Sequence, residues 1–131
     1  MEQTEQQKHI LILESDRQLA QQIQEYLSGQ ASLVTAPSSV KDALDLLKSQ
    51  RIHLAFLGDP PGGSSSFDIL KDFVKTSPMT YVILITDTPE KEVHDRAEGF
   101  GILGHIPRAF SPNEIERLID KYREINQALF R

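Results

Sequence analysis

Apolar residues fall in short runs that alternate with stretches at helical spacing. His9 to Leu13 is an apolar run between polar flanks, the pattern of a strand buried on both faces. Glu14-Ser15-Asp16 follows, and Ser15 or Asp16 suits the cap of a helix carrying Leu19, Ile23, Tyr26 and Leu27, stopped by Gly29. Residues 32–36 read as a second strand. A helix with Val40, Ala43, Leu44 and Leu47 on one face comes next, and then a third strand over 53–57. The loop from Gly58 to Ser66, rich in glycine, proline and serine, opens a helix with Ile69, Leu70 and Phe73. Residues 81–86 make the strongest strand, Pro89 begins a short polar helix closed by Gly99, and 102–106 form a last strand. Ser111-Pro112-Asn113-Glu114 is a capping box with proline at the first helical position, where its missing N–H costs nothing.

Five strands alternating with five helices predict an α/β fold with a parallel sheet covered on both faces. Right-handed crossovers in a chain of this length predict the flavodoxin-like, doubly wound order 2-1-3-4-5. Ligands and chemistry in such a sheet lie beyond the carboxyl ends of the strands, here Glu14-Ser15, Gly58-Asp59, Thr86-Asp87 and the stretch around Arg108. The expected organisation is a polar lead over 1–8 and one domain over 9–131.

Composition narrows the chemistry. The chain has 131 residues and no cysteine, which excludes disulfides, thiolate metal sites and a cysteine nucleophile. Its four histidines, His9, His53, His94 and His105, show no ligand spacing. A formal charge of −5 argues against nucleic acid or an anionic membrane as a direct partner. The absence of a signal peptide or a long apolar run predicts a cytoplasmic protein.

The strand endings resemble those of response-regulator receiver domains, the chemotaxis-type module of two-component signalling, over nearly the whole chain. His9 to Asp16 stands where that family has a strand ending in an acidic pair. His53 to Gly58 stands where its strand ends in the phosphoacceptor aspartate, and Val82 to Thr86 where a strand ends in a hydroxyl residue. Gly101 to Pro112 matches the stretch with a glycine, a switch aromatic and a lysine followed by proline. The resemblance implies a site in which the acidic pair and acceptor hold Mg²⁺, while lysine and the hydroxyl hold the phosphoryl oxygens. Position by position, Glu14 keeps the first acid, but Ser15 replaces the second and Gly58 replaces the acceptor. Thr86 is retained, Asp87 follows it where a small residue is usual, Arg108 stands for the lysine, Ala109 for the proline and His105 for the switch aromatic.

These departures predict a degenerate pseudo-receiver: not an enzyme, needing no cofactor, and signalling by protein contact without phosphorylation. The alternative is a phosphorylatable regulator using Asp59 with Mg²⁺. Asp59 lies one residue past the acceptor position, so strand alternation turns it to the other face unless a bulge rescues it. The plainer reading makes it the cap of the Pro60-Pro61-Gly62-Gly63 turn. Glu14, Asp16 and Asp59 are weak candidates for a divalent ion, set against a solvated rim. Gly99 to Gly104 matches a dinucleotide glycine pattern but ends a helix and enters a strand, the reverse of what that site needs.

The partner implied is a kinase, an output domain or a second copy of the chain. Candidate contacts are Asp87, His105, the segment from Pro89 to Gly99 and the end of the last helix. There Ile125, Leu129 and Phe130 lie beyond the reach expected of the sheet. They suggest a homodimer, or a chain that continues into a pairing helix.

Overall fold

A computed structural model describes residues 8–28, 32–60, 62 and 65–129. Its elements are β1 (Lys8–Leu13), α1 (Arg17–Leu27), β2 (Ser32–Thr35), α2 (Val40–Ser49), β3 (Leu54–Leu57), α3 (Ser66–Thr76), β4 (Tyr81–Ile85), α4 (Glu90–Arg96), β5 (Gly104–Ile106) and α5 (Pro112–Leu129). The strands form one sheet in the order β2-β1-β3-β4-β5, and each neighbouring pair is parallel. This is the flavodoxin-like order expected from the alternation.

Successive strand residues point to opposite faces, and each face has its own core. Ile10, Ile12, Leu54, Phe56, Ile83 and Ile85 meet α1 and α5. Leu11, Leu13, Ala55, Leu57, Val82 and Leu84 meet α2, α3 and α4. Burial on both faces explains why the strands read as unbroken apolar runs.

The caps follow local chemistry. The Asp16 carboxylate accepts from the Gln18 and Leu19 amides at the start of α1, while Ser39 and Ser65 cap α2 and α3. At α5, Glu114 Oε1 accepts from the Ser111 amide at 2.8 Å, the reach-back half of a capping box.

Element ends shift by a residue or two. β1 starts at Lys8, within the stretch expected to be a polar lead. Strands β1 and β4 stop at Leu13 and Ile85, leaving Glu14 and Thr86 just past the sheet. β5 starts at Gly104, two residues late, because Gly101 at φ 65° turns the chain first. A Cβ at Gly104 would come within 2.6 Å of Leu118 Cδ2, so α5 packs directly on that backbone. Gly29, Pro61, Gly63, Ser64 and Phe130 lie outside the described residues.

At the amino end of the sheet the two strand-start histidines interlock. The His53 amide donates to the His9 carbonyl (2.9 Å), and the His9 amide donates to His53 Nδ1 (3.1 Å). A ring nitrogen that accepts carries no proton, so His53 is neutral with its hydrogen on Nε2. Burial, then the charges of Arg51 and Lys8, hold His53 below its ordinary value of 6.5, and burial lowers His9. Tyr122 and Arg123 of α5 face the same cavity as His53 and Lys8.

Both rings therefore bind fewer protons folded than unfolded, so stability is lost as pH falls through the ordinary histidine value. Urea unfolding between about pH 7 and pH 5 should show a larger drop in midpoint for wild type than for the His9→Gln/His53→Gln variant. Equal drops would contradict this account.

Candidate functional site

The carboxyl ends of β1, β3 and β4 and the loop after β5 bring Glu14, Gly58, Asp59, Thr86, Asp87 and Arg108 to one edge of the sheet. Glu14 sits first after β1, and its side chain is 0% exposed. Charge at that depth is stable only when fully partnered.

It is. Glu14 Oε1 accepts from Arg108 Nη1 at 2.9 Å and from the Asp59 amide at 3.0 Å. Oε2 accepts from Arg108 Nη2 at 2.9 Å and from the Asp16 amide at 2.8 Å. A carboxylate offers about four acceptor positions, so this set fills them. The fork-on-fork geometry is the strongest form of charge-assisted hydrogen bond. Glu14 holds the already high pKa of Arg108 higher still, through its hydrogen bonds and then its charge against burial.

Gly58 makes room for this pair. A Cβ built on Gly58 collides with Glu14 Oε1. The space in which a side chain at position 58 would start is thus occupied by the Glu14 carboxylate. The longer acid at 14 and the missing side chain at 58 are one steric arrangement. The sequence alone shows no link between positions 14 and 58.

The remaining groups tie the surrounding loops together. The Ser15 amide donates to the Asp59 carbonyl at 2.8 Å. Asp87 Oδ1 accepts from the Arg108 amide at 3.0 Å, joining the loop before α4 to the loop before α5. Thr86 Oγ1 donates to Thr88 Oγ1 at 2.8 Å and accepts from the Thr88 amide at 3.1 Å, so its hydroxyl caps its own loop. His105, half-buried in β5, lines an open groove with Glu90, His94 and Lys121. Arg96 stacks 4.1 Å over the Phe67 ring and pins α4 to α3.

Three expectations are corrected. Asp59 does not turn to the far face. β3 has ended at Leu57, strand alternation no longer governs position 59, and Asp59 Oδ2 lies 3.3 Å from Arg108 Nη1. Asp16 does not join Glu14 and Asp59 around a shared cation position, because its carboxylate is turned to the α1 amides. Ile125 does not stand clear of the fold: it is half-buried against the core of α1 and α5. The Leu129 side chain lies outside the described residues.

The Mg²⁺ implied by the receiver resemblance does not fit these residues. Glu14 has no acceptor position left, Ser15 brings no charge, and Gly58 brings no oxygen on a side chain. Among the described residues, no group of three acidic, histidine or cysteine side chains is arranged to hold a metal.

No protein-family model matches the chain, and no curated protein matches it in sequence. Solved structures do match in shape. The signal receiver domain of an HD domain-containing protein from Pseudomonas fluorescens Pf-5 superposes with a TM-score of 0.82. It is 20% identical, over 98% of this chain and 95% of that one. The signal receiver domain of a putative Luxo repressor protein from Vibrio parahaemolyticus gives 0.81 at 15% identity, over 96% and 98%. A CheY-like receiver domain protein from Methanospirillum hungatei JF-1 gives 0.76 at 18% identity, over 91% and 99%. The fold is that of the receiver domain. At these identities the likeness concerns the receiver backbone alone, and side chains must be argued from this chain.

The steric link between Gly58 and Glu14 is measurable as a coupling. Gly58→Ala should cost about 1–3 kcal/mol in wild type, the usual range for overpacking. In a Glu14→Ala background the same change should cost little, so denaturant unfolding of the four proteins should give a clear interaction energy. Additive costs would show that the two positions do not compete for space.

Proposed function

We propose that this chain is a receiver-type signalling domain that works as a phosphorylation-independent protein-interaction module. The observation that carries the reading is the Glu14–Arg108 pair seated over Gly58: the carboxylate lies where the acceptor side chain would begin. Phosphoryl transfer to an aspartate needs an accessible carboxylate, a metal and a cation free to meet the transferred group. Here the buried Glu14 carboxylate and the Arg108 guanidinium neutralise each other.

The partner in this reading is a kinase, an output domain or a second copy of the chain. The face formed by α4, β5 and α5 is the contact surface we assign, with His105 lining its groove. Its neighbours Glu90, His94 and Lys121 offer charges of both signs, which suits a protein surface better than a polyanion. A cytoplasmic location belongs to the same proposal, and no helix among the described residues is long and apolar enough to cross a membrane.

A second reading rests on Asp59. Its carboxylate is 67% exposed and stands 3.3 Å from Arg108, so a phosphoryl donor could reach it from solvent. In that reading Asp59 accepts the phosphoryl group with Mg²⁺, and Glu14, Thr86 and Arg108 keep their family roles.

Treatment with acetyl phosphate and Mg²⁺ separates the two. Intact-mass spectrometry should find no adduct of about 80 Da, the mass of a phosphoryl group. An adduct that disappears in Asp59→Asn would replace the first reading with the second.

Self-association is tested by sedimentation of the wild type beside Ile125→Glu and Leu129→Glu, with a thermal scan of each because Ile125 touches the core. A dimer dissociated by Leu129→Glu at unchanged stability is the expected outcome. A wild type that sediments as a monomer would remove the second copy from the possible partners.

A further inference from the structure

Glu14 and Asp59 are two carboxylates that meet at one cation. Arg108 Nη1 lies 2.9 Å from Glu14 Oε1 and 3.3 Å from Asp59 Oδ2, and Nη2 lies 2.9 Å from Glu14 Oε2. The charge of Asp16 also acts on Arg108, although its oxygens are turned to α1. Among the described residues, no lysine or second arginine makes an ion pair with Glu14 or Asp59.

Remove the guanidinium and the arithmetic changes. Glu14 and Asp59 would leave two negative charges within reach of one point, and each Glu14 oxygen would lose one of its two donors. Oxygen ligands, two carboxylates and a partly open side are what a hard divalent cation takes, with water filling the rest. The guanidinium is only 26% exposed and is held again through its backbone by Asp87, so it is placed to stay.

We infer that Arg108 is the resident cation of this site, which occupies the place of a divalent metal and excludes one. The inference rests on the proposed reading of a site that accepts no phosphoryl group. It goes further by naming the side chain that replaces the metal and by treating the acidic groups as competent once that side chain is gone.

The test compares wild type, Arg108→Ala and Arg108→Ala/Glu14→Gln. Mn²⁺ binding is read by electron paramagnetic resonance, and the unfolding midpoint is read with Mg²⁺ against Na⁺ at matched ionic strength. Wild type should bind no Mn²⁺ at millimolar levels and gain nothing from Mg²⁺. Arg108→Ala should bind Mn²⁺ roughly tenfold tighter or more, since a positive charge a few ångströms away has been removed. Its midpoint should rise with Mg²⁺, and both effects should vanish in the double variant. If Arg108→Ala does not fold, Arg108→Gln takes its place, keeping a donor to Glu14 without the charge.

Wild-type binding as tight as that of the variant would overturn the inference, as would a variant that binds no better than wild type. Cation binding by wild type with no phosphoryl adduct overturns this inference alone. An adduct on wild type overturns the proposed function itself.

Discussion

The candidate site depends on a buried charge that must never be left alone. Glu14 is sealed from water at the end of β1, and an unpaired carboxylate there would be untenable. Arg108 answers it through the bidentate contact, and the Asp16 and Asp59 amides complete the set. The neighbouring residues then each have a physical role. Gly58 leaves the volume the carboxylate occupies, and arginine rather than lysine supplies two parallel donors. A compact ammonium would satisfy one oxygen well and leave the other short of a donor.

The pair also couples pieces of chain that lie far apart. Glu14 directly follows β1, while Arg108 lies on the loop that leads into α5, 94 residues later in the chain. Asp87 joins the backbone of that same loop to the start of the α4 segment, and the Thr86 amide donates to the Ile106 carbonyl at 2.9 Å. The ends of three strands are thus tied to the bases of two helices. Val93 is buried, and Arg96 lies over Phe67, so α4 is anchored at its other side as well. The result is a continuous set of contacts from the buried carboxylate to the α4–β5–α5 face.

Much of this was legible in the sequence because it rests on local rules. The five apolar runs, the Asp16 cap and the Ser111–Glu114 box each depend on residues a few positions apart, and the strand order follows from handedness. What was not legible depends on lengths and directions across the fold. Nothing in the pattern says that Glu14 reaches over Gly58, since that needs the register of β1 against β3. Strand alternation turns Asp59 to the far face only if it continues past Leu57, and β3 ends there. Periodicity does not show how far the core reaches along α5, and the core extends to Ile125. His9 and His53 carried no visible signal, as strand-start residues 44 positions apart are matched only by the register.

On the proposed reading, the same geometry limits what kind of signal the domain can carry. A ligand shifts a two-state protein only by its difference in affinity for the two states. Any rearrangement that pulled the loop before α5 away from β1 would part Arg108 from Glu14. Breaking a buried pair costs roughly 3 kcal/mol or more, about a hundredfold in population. A phosphoryl group in an ordinary receiver could supply such a difference by drawing the cation to itself. On the proposed reading no such group arrives, and a contact on the α4–β5–α5 face must supply the whole difference or leave the state unchanged. The second course asks nothing of the partner beyond surface complementarity. A domain held in this way is suited to presenting one fixed face, with information residing in which partner is present rather than in which state the domain adopts.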